Sequence, residues 1–135
     1  MSPATERIFS ELDRMRIDRL AARLRTPDGA VPTVLQAFDE GDFLMPQEMP
    51  PDVVTVNSRV LLVDGAGERR EIVVCYPEQA DLASGHISVL SPLGGDLLGR
   101  RVGESVDWPG ADGRAVRLRI EALLFQPEAN GEYAR

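Results

Sequence analysis

The sequence predicts an α+β chain in which a short antiparallel helical hairpin precedes a twisted antiparallel sheet curled over one short helix. Three observations carry that reading. Apolar residues recur with a helical period between residues 17 and 38. Beyond the proline-rich "PQEMPP" at 46–51 the apolar period changes to two. Ser91 followed by Pro92 marks a helix start between two strand-like runs.

The first element opens at "SELD", residues 10–13, which has capping-box spacing. Ser10 is expected to cap the first-turn amides, and Asp13 to reach back to the cap. Ile17, Leu20, Ala21 and Leu24 follow at i, i+3, i+4 and i+7. The spacing predicts a helix over 11–25, with arginines on its other face. "TPDGAVP", 26–32, breaks it. Thr33 and Gln36 repeat the capping spacing, Val34, Leu35 and Phe38 form a stripe, and Gly41 ends a second helix over 33–41. At about 1.5 Å per residue the helices are roughly 22 and 13 Å long and close into a hairpin. "PQEMPP" is a stiff, extended linker. It divides the chain into the hairpin, 1–45, and the sheet domain, 46–135.

Val54, Val56, Ser58, Val60 and Leu62 then fall on one face of a strand. "DGAGE" turns the chain into a second strand, "REIVVCY", and a loop, "PEQADLASG", leads to a third, "HISVLS". The helix opened by Ser91 is short and ends near Gly99. "ESVDW" and "RAVRLRIEALLF" form the last two strands around a "PGADG" turn. In the final strand Val116, Leu118 and Ile120 should face in, and Arg117, Arg119 and Glu121 out.

Composition excludes several functions. The formal charge of −7 opposes loose binding to duplex nucleic acid or an anionic membrane. Aromatic residues are 5% of the chain, too few for a base-stacking platform, so little direct nucleic-acid contact is expected. All 15 basic residues are arginine, which removes any Walker or Schiff-base lysine. Cys75 is the single cysteine, so no internal disulfide forms, and it reads as a small buried hydrophobe. No apolar signal core and no run of membrane-spanning length is present, which fits a cytoplasmic protein.

No constellation for catalysis emerges. His86, the one histidine, has no paired motif and reads as a surface or turn residue. Neither C-x-x-C nor H-x-x-x-H occurs, so no metal and no cofactor is called for. "DGAGER" and "LGGDLLG" lack phosphate-loop spacing and read as turns. Protein–protein recognition is left as the default.

The stretch "ISVLSPLGGDLLGRRVGESVDWP" resembles the C-terminal domain of the GreA/GreB transcription elongation factors. "LDRMRIDRL", "PQEMPPDVVTVNSRVLLVD", "CYPEQAD", "ISVLSPLG" and "LLFQPEANGEY" resemble the Rnk proteins, regulators of nucleoside diphosphate kinase, more closely still. The motifs keep their order and spacing from about residue 10 to 133. The resemblance implies an FKBP-like domain that docks on RNA polymerase at the entrance of the secondary channel. The residues it offers for docking are Ser91, Pro92, Leu93 and Gly94, with Arg117 and Arg119 as further candidates. In the Gre factors a long coiled coil carries acidic residues that hold a metal ion at the polymerase active site. Here the hairpin is short, and its tip, Thr26, Pro27, Asp28 and Gly29, holds one acid. The resemblance thus implies a polymerase-binding regulator without transcript cleavage that competes with the Gre factors. Two alternatives stand beside it. One is regulation of nucleoside diphosphate kinase, by contact or indirectly. The other is a peptidyl-prolyl isomerase, which would need an aromatic-walled pocket, while the domain offers Tyr76, Trp108, Phe125 and Tyr133.

Overall fold

The computed structural model describes residues 7–23, 32–109 and 114–132. The chain enters through β1 (Ile8–Ser10) and α1 (Glu11–Arg23), and continues with α2 (Thr33–Phe38) and β2 (Asp42–Leu44). Then come β3 (Arg59–Val63), β4 (Arg69–Cys75), β5 (His86–Ser88), α3 (Pro92–Leu97), β6 (Ser105–Pro109) and β7 (Ala115–Phe125). The main sheet has the order β5-β4-β3-β7-β6. Its inner face packs against α3 in a core containing Val60, Leu62, Ile72, Val74, Leu93, Leu97, Leu118 and Ile120. Two register shifts in the β3–β7 pairing help the sheet curl around that core. Among the described residues no helix is long and apolar enough to cross a membrane.

Several elements form as their residues dictate. Ser10 Oγ accepts from the Asp13 amide at 3.4 Å, the expected cap of α1. Asp64 closes the "DGAGE" turn: its Oδ1 accepts from the Ala66 and Glu68 amides, and Gly67 takes the left-handed φ of 86° that the turn requires. The inward residues Val54, Val56, Ser58, Val60, Leu62, Leu118 and Ile120 are all buried.

Other expectations are corrected. The sheet is mixed, since β5 runs parallel to β4, with Val73 opposite His86. Two 3-10 turns, Pro77–Gln79 and Leu82–Ser84, carry the chain back so that β5 enters in the direction of β4. The strand expected from Val54 begins at Arg59, because Asn57 has a left-handed φ of 71°. Val116 is exposed because the first residues of β7 pair with β6 and overhang β3, whose pairing starts at Arg119.

The helical segment differs most. β1 and β2 pair in parallel, with Phe9 opposite Phe43, a short sheet that the sequence did not announce. Thr33 is the first residue inside α2, not its cap, and α2 ends at Phe38. Gly41 serves another purpose: a Cβ there would lie 2.2 Å from the Phe9 ring. That ring packs on Phe38 and Phe43 with centroids 4.8 and 5.6 Å away. Among the described residues α2 rests chiefly on α3 and not along α1. Phe9, Ile17, Val34 and Phe38 belong to the same buried cluster as the sheet. Arg7 fastens the entry, its guanidinium donating to the Leu98 carbonyl at 3.1 Å and to that of Gly95.

Candidate docking site

The first turn of α3 is built from Ser91. Its Oγ accepts from the Gly94 amide at 3.1 Å and donates to the Ser88 carbonyl at 2.6 Å, so one hydroxyl caps the helix and ties it to the end of β5. Pro92 takes the first helical position, where its missing N–H is not needed, and its ring is exposed. Leu93 and Gly94 are buried, and Leu93 also lines the hollow beside Pro92. Leu93 fills the core. A Cβ on Gly94 would lie 2.0 Å from the Ser88 carbonyl oxygen, and one on Gly95 2.8 Å from the Val34 nitrogen. The glycine pair lets α3 approach β5 on one side and α2 on the other.

Beside Pro92 lies a largely apolar hollow of about 400 Å³, lined among others by Leu82, His86, Ile87, Ser91 and Trp108. Leu82 stands 78% exposed on its 3-10 turn, a large apolar side chain with no core to fill. Trp108 is half-buried and carries the Arg70 guanidinium 5.0 Å from its ring centroid. Sequence reasoning passed over Leu82. Its signal was a leucine inside the polar loop "PEQADLASG", where no strand or helix could bury it.

Arg117 and Arg119 project from the outer face of β7, since Leu118 between them points into the core against α3. Arg117 lies 3.7 Å from Asp107 across the strand pair. The structure therefore puts the two arginines and the Pro92 hollow on opposite faces of the sheet. Thr26, Pro27, Asp28 and Gly29 lie outside the described residues.

A second polar cluster joins three parts of the chain. Asp13 is buried and does not reach back to its cap; its Oδ2 accepts from the Val56 amide at 3.1 Å. Thr55 Oγ1 donates to Glu128 at 2.7 Å. Burial pushes the Asp13 carboxyl up to about 7, with Glu128 adding to the rise and the Val56 hydrogen bond and Arg16 opposing it. Burial also raises Glu128, against the pull of Thr55. The Cys75 thiol is buried and raised by desolvation first and Glu78 second, so it is not a reactive thiolate. Among the described residues no three His, Cys, Asp or Glu side chains are grouped to hold a metal ion.

A model of the family described as "Transcription elongation factor, GreA/GreB, C-term" matches residues 49–124, which include the whole α3 turn and its hollow. The "Regulator of nucleoside diphosphate kinase" of Escherichia coli (strain K12) is 38% identical over 128 residues, covering 93% of this chain and 94% of that one. The "Transcription elongation factor GreA" of Chloroherpeton thalassium is 33% identical over 81 residues, 59% of this chain and 51% of that one. Among solved structures, "Prokaryotic transcription elongation factor GreA/GreB from Nitrosomonas europaea" superposes with a TM-score of 0.74 at 30% identity, covering 89% of this chain and 98% of that one. From matched sequence and shared fold alike, the chain belongs to the Rnk proteins of the GreA/GreB family.

Proposed function

We propose that this protein is a non-catalytic regulator that docks on RNA polymerase at the entrance of the secondary channel and competes there with Gre factors. The observation that carries the reading is the exposed Pro92 ring beside an apolar hollow, on a helix turn held by Ser91 and inside the matched segment. An apolar anchor from the partner would enter between Pro92, Leu82 and Trp108, where burial of aromatic and aliphatic groups concentrates binding energy. The domain from residue 46 is taken as FKBP-like, and the segment 1–45 as the shortened counterpart of the Gre coiled coil, with its second helix laid on α3. Its tip offers Asp28 as its one acid, so transcript cleavage on a backtracked complex is not expected.

Binding to core polymerase, measured with and without a Gre factor as competitor, tests this. Pro92→Asp replaces an apolar ring by a charge at a position where helix stability tolerates a carboxylate. Affinity should fall by about thirtyfold with the fold retained. Undiminished binding of this variant would move the docking surface to Arg117 and Arg119. A second reading follows from the name of the Escherichia coli relative: regulation of nucleoside diphosphate kinase, directly or through transcription. Capture of purified kinase in the absence of polymerase would favour it.

A further inference from the structure

The polymerase reading leaves one charged site unused. Arg16, Arg19 and Arg23 recur at i, i+3 and i+7, so they share one side of α1. With Leu20 of the same helix, and Tyr76 and Glu78 from the turn after β4, they line a pocket of about 200 Å³. At about 30 Å³ per water this is room for six or seven waters, enough for one or two phosphoryl groups. Arg19 and Arg23 are exposed, and neither has an ion-pair partner among the described residues. Arg14, by contrast, sits between Glu11 and Asp18 and lies 4.7 Å from the centroid of the Phe43 ring.

The setting sharpens the contrast. The chain as a whole carries −7, so three arginines converging on one concavity run against its average field. Two carboxylates act nearby: Glu78 lines the pocket, and Asp13 adds to the rise that burial imposes on the Tyr76 hydroxyl, an effect Arg16 opposes. Three guanidinium groups against these two leave a net positive site. Arginine forks match phosphate oxygens in pairs, a geometry that lysine does not supply. Leu20 and the Tyr76 ring add apolar wall beside the charges.

We propose that the α1–Tyr76 pocket binds a diphosphate group, free or carried by a nucleotide, through Arg19 and Arg23 with Arg16 behind them. The proposal does not depend on polymerase docking. Titration calorimetry of the full chain with pyrophosphate at low salt should show one site. The double variant Arg19→Ala/Arg23→Ala should weaken it at least tenfold. Arg14→Ala should leave it unchanged, and 0.5 M salt should weaken it by screening. Circular dichroism of each variant checks that the exposed replacements leave the fold intact. A nucleoside diphosphate binding as tightly as pyrophosphate assigns recognition to the phosphates. Tighter nucleotide binding places the base on Leu20 and Tyr76, and either result upholds the site. The proposal is overturned if the wild type gives no pyrophosphate heat, if the double variant binds equally well, or if only single-stranded RNA is retained.

Discussion

Asp13→Asn should flatten the pH dependence of stability. Asp13 is buried, accepts one hydrogen bond from Val56, and holds its carboxyl near pH 7 against an ordinary value of 3.8. A folded pKa above the unfolded one means that the native state prefers the proton. The stability linked to that proton is complete below about pH 3.8 and is lost as pH rises through 7. Three pKa units correspond to about 4 kcal/mol over the whole range, and about 2 kcal/mol of this falls between pH 5.5 and 8. For a domain of this size that is a drop of roughly 8 °C in Tm. Glu128 is raised as well, by burial, and adds a loss of the same sign.

Asparagine keeps the carbonyl that accepts from Val56 but has no proton to lose. The variant should retain only the Glu128 part of the slope. Its absolute stability is a poorer readout, since an unpartnered buried amide takes back about 1–3 kcal/mol. The assay is thermal or urea unfolding of both proteins at pH 5.5, 6.5, 7.2 and 8. Equal slopes for the two proteins, or a wild type that gains stability from pH 5.5 to 8, would refute the assignment of a raised carboxyl at this position.

Four further outcomes follow from the packing. Ile17→Asp places a carboxylate in the shared core and should cost several kcal/mol, removing helix and sheet signals in one circular-dichroism transition. Gly94→Ala drives a methyl group against the Ser88 carbonyl; the expected loss of about 2 kcal/mol should appear as a lower urea midpoint. Ser91→Ala removes the cap of α3 and should lower stability by about 1 kcal/mol in thermal melts, with little effect on polymerase affinity. Gln126→Ala removes the amide that donates to the half-buried Pro50 carbonyl at 2.8 Å and the buried Val53 carbonyl at 2.6 Å, at about 1–3 kcal/mol, with faster hydrogen exchange across residues 50–54 as the local sign.

The legible parts of the fold were those whose causes are local. Ser91 and Pro92 define a helix start from two adjacent residues, and Asp64 and Gly67 define a turn within five. Leu118 and Ile120 announce their face by alternation. What could not be read depends on partners far along the chain. Asp13 has capping-box spacing, yet its carboxylate goes to Val56, 43 residues away, because tertiary packing presents an orphan amide there. Val116 alternates correctly but lacks a β3 neighbour to cover it. The direction of β5 is set by two 3-10 turns whose residues also suit an ordinary loop. At the docking turn, the glycines of "PLGG" look like flexibility and are instead a close-packing requirement. The Leu82–Trp108 hollow joins loop and strand residues that no sequence window holds together.

The order of strands in the sheet bears on how the chain is made. β7 is made after the other strands of this sheet, yet it lies between β3 and β6 and closes the middle of the sheet. Until residue 125 has emerged, β6 has no neighbour, and β3 shows one bare edge beside the β3–β4 hairpin. The Phe9 ring, made well before α3, finds its α3-side neighbours only after Leu97 and Leu98 exist. The sheet is therefore completed only once β7 is available and not in step with translation, and between β3 and β7 the nascent chain carries an unpaired strand edge. A stop codon or stall between β3 and β7 should yield an aggregation-prone fragment in place of a smaller folded domain.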